Sequence, residues 1–528
     1  MAERIVVVGG GTMGAGIAFV AARAGFDVQI VEPVEGARAR ALPGLAREAE
    51  RSSDSEALDR IAWLHEIPAR SDAILAIEAV PERIDVKRSV LTALAESLAP
   101  DALLATNTSS LSVAELAEGI AHPQRILGLH FFNPPARMAL VEVVEAPQTS
   151  ADALDVALLY VERFGKTGVL VNDTPGFVVN RVARPYYLQA LHALQSDAAS
   201  VEELDALARS LGFRMGPFEL MDLIGLDVNL TTSESIYERT EAARLEPVAL
   251  QRSMVAEGRL GRKTGEGFYR YRNGQMERFE LTAPAPADAA NDEEILGFVG
   301  FDERAHDFAE RLRAQYSNLV HLESDEMLDE IPLDATILID AGDGVSDRGE
   351  ILARLDADFG PETIILTDAY ATNLAACARR LRHPERLIGY GVLGALDDQS
   401  AVEIVNSETA SDDALALAQE LFASIGKAAV LIEDVPGLFL GRVVGSIVNE
   451  AMIAVAEEVA TPEDVDTAMQ LGANYPRGPI AWGRGIGGAR LRRILKRLAD
   501  VEGEQFAAHR SLWVLDVAET EQTPEIPQ

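Results

Sequence analysis

Apolar positions along this 528-residue chain fall into two textures, and the pair occurs twice. Short aliphatic runs at Ile74-Leu75-Ala76-Ile77, Ala102-Leu103-Leu104-Ala105 and Ile126-Leu127-Gly128-Leu129 alternate with helical patterns, which predicts an α/β domain built on a doubly wound sheet. Near Thr174-Pro175-Gly176 the periodicity becomes that of helices and runs from Phe177 to about Tyr271, predicting an all-α domain. Residues 276–292 include A-P-A-P-A-D-A-A-N-D, a stretch with little to bury, and read as a linker. Beyond it the chain repeats itself. His122-Pro123-Gln124-Arg125 returns as His383-Pro384-Glu385-Arg386, and Thr174-Pro175-Gly176 as Val435-Pro436-Gly437, both at an offset of 261. Gly216-Pro217 returns as Gly478-Pro479 at 262. The expected organisation is an α/β domain at 1–173, a helical domain at 174–275, the linker, and degenerate copies of both at 293–432 and 433–528.

The first apolar run carries a ligand signal. Ile5-Val6-Val7-Val8 breaks into Gly9, Gly11 and Gly14 at G-x-G-x-x-G spacing, with Thr12 and Met13 between, which predicts strand, tight turn and helix. Gly9 permits the turn, Gly11 lets the backbone approach a pyrophosphate, and Gly14 lets the helix lie close to the strand. The helix start offers free N–H groups to an anion. A second run, Asp27-Val28-Gln29-Ile30-Val31, ends in Glu32, 18 residues beyond Gly14, where a carboxylate accepts hydrogen bonds from a ribose diol and repels the extra phosphate of NADP. The glycines alone would also suit a plain turn. Together with the preceding strand, the following helix and the spaced acid they predict an NAD site.

Composition narrows the classes. A formal net charge of −37 disfavours nucleic acid and anionic lipid, so an anionic ligand has to be met by local cations. Arginine supplies most of these, since only Lys87, Lys166, Lys263, Lys427 and Lys496 are lysines. Cys377 is the single cysteine, which excludes an intrachain disulfide framework and a multi-cysteine metal site; no metal is expected. No uninterrupted apolar run approaches the ~18 residues of a membrane span, and Arg4 leads straight into the first strand without room for a leader. The expectation is a cytoplasmic enzyme.

His130 follows an apolar strand in G-L-H-F-F-N-P, at the edge where open α/β sheets place ligands. Twelve residues on, Glu142 interrupts the apolar run L-V-E-V-V and needs a donor if it is buried. A carboxylate on one imidazole nitrogen fixes the tautomer and leaves the other nitrogen to take a proton from an alcohol. A core histidine beside a solvent-facing glutamate is the alternative.

These residues resemble the 3-hydroxyacyl-CoA dehydrogenase family. The likeness rests on G-G-G-T-M-G-A-G-I-A, I-E-A-V-P-E, N-T-S-S-L-S, G-L-H-F-F-N-P, L-V-E-V-V, D-T-P-G-F-V-V-N-R and G-R-K-T-G-E-G-F-Y, in that order, from residue 1 to about 272. The resemblance implies that His130 is the general base, that Glu142 orients it, and that Ser109 and Asn180 hydrogen-bond the 3-oxygen and thioester region of an acyl-CoA. It also implies that Glu82, Lys87, Ser109 and Asn133 line the ribose and nicotinamide side of NAD, and that Lys263 reaches the site from the helical domain. From the residues alone, Ser109 also suits a helix cap, Asn180 a surface amide and Lys263 a solvated loop. The family's CoA contacts come from basic residues after the second strand, where this chain has Arg38, Arg40, Arg47 and Arg51; Arg47 and Arg51, four apart, share a helix face.

At the offset of 261 the copy replaces Ser109 by Tyr370, His130 by Gly391 and Asn180 by Gly441, and keeps Glu142 as Glu403. Its start, L-G-F-V-G-F-D-E-R, lacks the G-x-G-x-x-G spacing, and I-D-A-G-D-G-V provides no counterpart of Glu82, so the copy is expected to bind no dinucleotide and to catalyse nothing. By resemblance to helical domains that dimerise, it serves as a partner within the chain, a pseudo-dimer, with a homo-oligomer through an isologous contact also open. The double length, R-V-A-R-P-Y-Y and N-Y-P-R-G-P-I-A-W-G look most like the phenylacetate-degradation branch, whose substrate is 3-hydroxyadipyl-CoA, with Arg184 a candidate for its distal carboxylate. 3-Hydroxybutyryl-CoA is the nearest alternative substrate. A Ser109–His130–Glu142 hydrolase lacks the G-x-S-x-G elbow. A non-catalytic relative is the other rival.

Overall fold

The computed structural model describes residues 3–276, 278–286, 291–342 and 347–516. They form two compact units: Met1–Val182 with Glu238–Thr240 and Ala454–Asn474, and the remainder.

The first unit is built on eight strands, β1 (Arg4–Val8), β2 (Asp27–Val31), β3 (Ile61–Leu64), β4 (Leu75–Glu78), β5 (Leu103–Thr106), β6 (Ile126–Phe131), β7 (Leu140–Glu145) and β8 (Thr167–Asn172), in the order β3-β2-β1-β4-β5-β6-β7-β8. All pairs are parallel except β6–β7. Every residue of β4, β5 and β6 is buried, which is why these strands read as continuous aliphatic runs rather than as an alternation. The antiparallel pair matters for chemistry. Its register sets His130 directly opposite Glu142.

The second unit repeats the plan with β9 (Asn291–Val299), β10 (Tyr316–Leu322), β11 (Ile337–Asp340), β12 (Ile364–Asp368), β13 (Leu387–Gly391), β14 (Ala401–Val405) and β15 (Ala428–Ile432), ordered β10-β9-β11-β12-β13-β14-β15. Here β13–β14 is the antiparallel pair, and Gly391 faces Glu403. No counterpart of β3 occurs among the described residues: residues 32–74 of the first half, with helix Glu35–Ser52, shrink to 323–336 in the second. Strand β9 starts at Asn291, inside the stretch expected to be linker, because its first residues extend the pairing with β10; part of that stretch lies outside the described residues.

Each unit borrows a helix from the other half of the chain. Helix Pro462–Gly472 packs on β7 and β8, and its equivalent in the first half, Val201–Ser210, packs on β14. The same exchange recurs in the backbone: Asn172 N donates to Val459 O at 2.8 Å, and Glu433 N to Ala198 O at 2.9 Å. Tyr475 and Trp482, from the N-Y-P-R-G-P-I-A-W-G segment, pack against Phe213, edge-on and tilted, with centroids 5.0 and 5.7 Å apart, so this segment joins helices of both halves inside the second unit. Helix Phe439–Ala456 is long and apolar enough to cross a membrane, and 83% of it is buried within the protein.

Candidate active site

The glycine loop has the geometry that its spacing predicts. Gly9 lies at φ +108°, and a Cβ there would stand 2.5 Å from the Ala79 carbonyl oxygen. A Cβ on Gly14 would stand 1.9 Å from the Gly9 oxygen, so helix Thr12–Arg23 can approach the strand only as glycine. Gly11 differs: nothing lies within 4 Å of its missing Cβ, and no side chain caps the helix behind it. Its N–H groups stay open to an anion. Glu32, at the end of β2, accepts from Gly10 N at 2.8 Å and Val34 N at 2.9 Å, which holds its carboxylate beside the loop. Thr12 and Asn133 are exposed and Met13 is half-buried at the same edge. A bare loop, a free helix start and a fixed carboxylate fit a dinucleotide.

Behind the loop, Glu78 and Lys87 form an ion pair at 2.9 Å with both side chains at most 1% exposed, and Thr106 Oγ1 donates to Glu78 at 2.7 Å. Lys87 is among the residues expected to line the cofactor. Its ammonium is an interior group, and it acts by holding Glu82 at 3.1 Å. Glu82 accepts from Thr108 Oγ1 at 2.6 Å, Ser109 N at 2.9 Å and Ser110 N at 3.0 Å, which fastens the N-T-S-S loop. Burial raises the pKa of Glu82, but the Lys87 charge and these donors outweigh it and bring it to about 2. Ser109 is therefore a positioned loop residue, and the helix cap nearby is Ser112, which accepts from Glu115 N.

Glu142 is fully buried and has three donors. His130 Nδ1 lies 2.6 Å from Oε2, and Val178 N and Val179 N donate to Oε1 at 3.1 and 2.9 Å. This excludes the solvent-facing glutamate. The network assigns the Nδ1–H tautomer, so Nε2 is the free, basic nitrogen. Phe132 and Phe177 flank the imidazole at 4.5 and 5.7 Å. The D-T-P-G-F-V-V-N-R segment explains itself: Phe177 at φ +49° turns the two amides onto Glu142, and Asp173 accepts from Ser112 Oγ and Ala114 N at 2.7 and 2.8 Å. Asn180 stands half-buried on the next turn, in helix Val179–Val182.

Arg47 and Arg51 line a cavity of about 640 Å³ together with Gly10, Gly11, Thr12 and Asn133. Arg40 and Arg137 join them; Arg137 was missed because only the fold brings the end of G-L-H-F-F-N-P-P-A-R to this face. Lys263 belongs to the second unit, where it pairs with Asp227. Its hairpin is stapled by Asp222, which accepts from Phe268 N and Tyr269 N at 3.0 and 2.9 Å; a Cβ on Gly267 would fall 2.0 Å from that carboxylate and one on Gly261 2.4 Å from the Asp222 carbonyl oxygen, so these two glycines of G-R-K-T-G-E-G-F-Y serve packing. Arg184 is buried in the second unit, donates to Ser233 Oγ at 3.0 Å and lies over the Tyr187 ring.

The equivalent places in the second half are filled. Asp302 stands where Gly11 stands and caps helix Glu303–Arg313 by accepting from Ala305 N at 2.7 Å. Tyr370, fully buried, takes the place of the imidazole: its hydroxyl donates to Glu403 Oε2 at 2.7 Å, while Phe439 N and Leu440 N donate to Oε1 at 2.6 and 3.1 Å. A Cβ on Gly441 would stand 2.5 Å from the Tyr370 ring, and one on Gly391 would stand 3.0 Å from it.

A model of the 3-hydroxyacyl-CoA dehydrogenase NAD-binding domain matches residues 4–174 and 312–435, and one of that family's C-terminal domain matches 176–271 and 437–525. The chain belongs to the 3-hydroxyacyl-CoA dehydrogenase family. It is an NAD-dependent oxidoreductase with both family domains present twice. It is 34% identical over 518 residues, 95% of each chain, to the 3-hydroxyadipyl-CoA dehydrogenase of Escherichia coli. The mitochondrial hydroxyacyl-coenzyme A dehydrogenase of Sus scrofa is 36% identical and aligns with 52% of this dehydrogenase and 92% of its own length. Among solved structures, 3-hydroxybutyryl-CoA dehydrogenase from Escherichia coli has a TM-score of 0.78 at 34% identity, covering 97% of this chain and 98% of that one. The second match to the NAD-binding model begins at residue 312, after β9 and the altered glycine loop.

Proposed function

We propose that this family member oxidises (S)-3-hydroxyacyl-CoA to 3-oxoacyl-CoA with His130 as general base. The observation that carries the reading is the Glu142 cage: three donors on a buried carboxylate, one of them the imidazole through Nδ1, leave Nε2 as the ring's basic nitrogen. Nε2 takes the proton of the 3-hydroxyl, and Glu142 stabilises the imidazolium that forms. Ser109, held by Glu82, and Asn180 orient the 3-oxygen and thioester. NAD, when bound, supplies the acceptor for the hydride leaving C3. Gly9, Gly11, Thr12, Met13, Gly14 and Glu32 hold its adenosine and pyrophosphate portion, with Glu82 and Asn133 toward the nicotinamide, and Arg47 and Arg51 meet a phosphate of CoA.

The full-length likeness to a relative named for 3-hydroxyadipyl-CoA supports that substrate, and the likeness to a solved structure named for 3-hydroxybutyryl-CoA supports the short chain as second reading. The internal hydrogen bonds of Arg184 favour neither. We assign catalysis to residues 1–275 and read the second half, 293–528, as the built-in partner of a pseudo-dimer in a cytoplasmic enzyme. Nicotinamide absorbance followed with 3-hydroxybutyryl-CoA, 3-hydroxyhexanoyl-CoA and 3-hydroxyadipyl-CoA is the test. Highest kcat/KM with the terminal carboxylate is expected; highest with 3-hydroxybutyryl-CoA selects the second reading, and no NADH with any of them overturns the dehydrogenase assignment for this chain.

A further inference from the structure

The second unit contains a cavity of about 410 Å³ where the carboxyl ends of β11 and β12 meet helix Gly488–Glu502. Open α/β sheets receive ligands at that edge. The cavity inverts the charge of the chain: Arg348, Arg380, Arg490, Arg493, Lys496 and Arg497 line it against Asp347, Asp368 and Asp500, with Asp340 behind Arg348, so that among the described residues cations outnumber carboxylates on a protein of net −37. Bulk composition does not produce this. The equivalent helix of the first half, Leu226–Thr240, carries Asp227, Glu234 and Glu238 with a single cation, Arg239, whereas Arg490, Arg493 and Arg497 follow one another at i, i+3 and i+7 on one face.

The back wall is rigid. Arg490 donates to Asp368 Oδ2 at 2.6 Å and to Val392 O at 2.9 Å, and Arg348 to Asp340 Oδ1 at 2.9 Å, all five residues being buried. The backbone is cut back to make room: a Cβ on Gly342 would stand 1.7 Å from the Arg348 guanidinium, and one on Gly349 would stand 2.2 Å from that of Arg380. The mouth is different. Lys496 pairs only with the exposed Asp500, and Arg497 makes neither hydrogen bond nor ion pair among the described residues, feeling Asp434 only at longer range.

We propose that this cavity binds a small phosphorylated anion through a pyrophosphate-type group. Guanidinium forks match phosphate oxygens two at a time, and a compact polyanion answers the positive excess within this volume. Free inorganic pyrophosphate and the diphosphate of a nucleotide share that chemistry. The full-length protein is titrated calorimetrically at about 0.1 M salt with pyrophosphate, ADP and citrate. Two charge-reversal variants accompany it: Lys496→Glu/Arg497→Glu, which touches no buried pair, and Arg47→Glu/Arg51→Glu in the first unit. Saturable pyrophosphate binding is expected, weakened about tenfold or more by the first variant with an unchanged thermal midpoint and untouched by the second. Tighter binding of ADP through the same residues identifies a nucleotide as source, and equal binding identifies the inorganic group. Absence of saturable binding, loss only in the Arg47/Arg51 variant, or preference for citrate overturns the proposal.

Discussion

Glu142 and Glu403 occupy one position in two copies of one fold, and each is held by two main-chain amides and one side-chain donor. The third donor separates them. In the first half it is an imidazole with a second nitrogen to spare; in the second it is a phenol whose ring fills the space that glycines at 391 and 441 vacate. The interior pair beneath the loops tells the same story, since Glu78–Lys87–Thr106 survives as Asp340–Arg348–Thr367 with an Arg–Asp distance of 2.9 Å. The scaffold that orients the chemistry is thus worth keeping for stability alone. What the second half has lost is space and a proton acceptor. Its anion-binding helix start is likewise occupied by its own carboxylate, Asp302.

The sharpest way to break this comparison is the same substitution in both halves. Glu142→Gln should lower kcat about 10²-fold or more, and His130→Asn by about 10²–10⁴-fold, because both remove the oriented base. Glu403→Gln should leave steady-state turnover within about twofold; an equal loss would mean that the second half catalyses. Next, Gly11→Asp imports the plug of the second half into the open loop. The fold has room for it, and the NADH dissociation constant, read by nicotinamide fluorescence on titration, should rise about 10²-fold, since a carboxylate then sits where a pyrophosphate belongs.

A smaller effect is read by pH in the second half. Burial, only partly offset by the Tyr370 hydroxyl and two amides, pushes the pKa of Glu403 from 4.5 to about 7. Between those values the folded chain keeps a proton that the unfolded chain has released. This contribution to stability is therefore complete below pH 4.5, declines as pH rises to 7, and is flat above, a span of about 3 kcal/mol at most. Asp205, also raised to about 7 by burial, acts with the same sign. Denaturant midpoints of Glu403→Gln should accordingly vary less than wild type between pH 5 and 8. Smallest is Tyr370→Phe, which strips a donor from a buried carboxylate and should cost about 1–3 kcal/mol without changing turnover; a loss of activity would contradict the assignment of Tyr370 to packing.

Much of the first half was legible beforehand because its signals are local. The turn demanded by Gly9, the close approach at Gly14 and the alternation that puts Glu142 within an apolar strand all act within a few residues. The pairing of His130 with Glu142 needed only an antiparallel register. Non-local consequences were hidden. That the Lys87 ammonium is buried depends on Glu78, which Thr106 of the neighbouring strand β5 holds in turn, and that Tyr370 replaces an imidazole depends on two distant glycines. Asp302 ahead of a helical run was a readable cap signal, and aligning it with Gly11 would have shown the plug. The loss of β3 breaks the constant offset there and masked that alignment.

The exchanged helices Pro462–Gly472 and Val201–Ser210 make the two copies inseparable by a single cut. A protease acting at residues 281–286 would sever the peptide yet release nothing, since either fragment keeps an arm laid across the other's sheet. Duplication here has produced less a tandem of modules than a knotted handshake, in which neither copy can be lost by deletion without exposing the apolar face of its sibling.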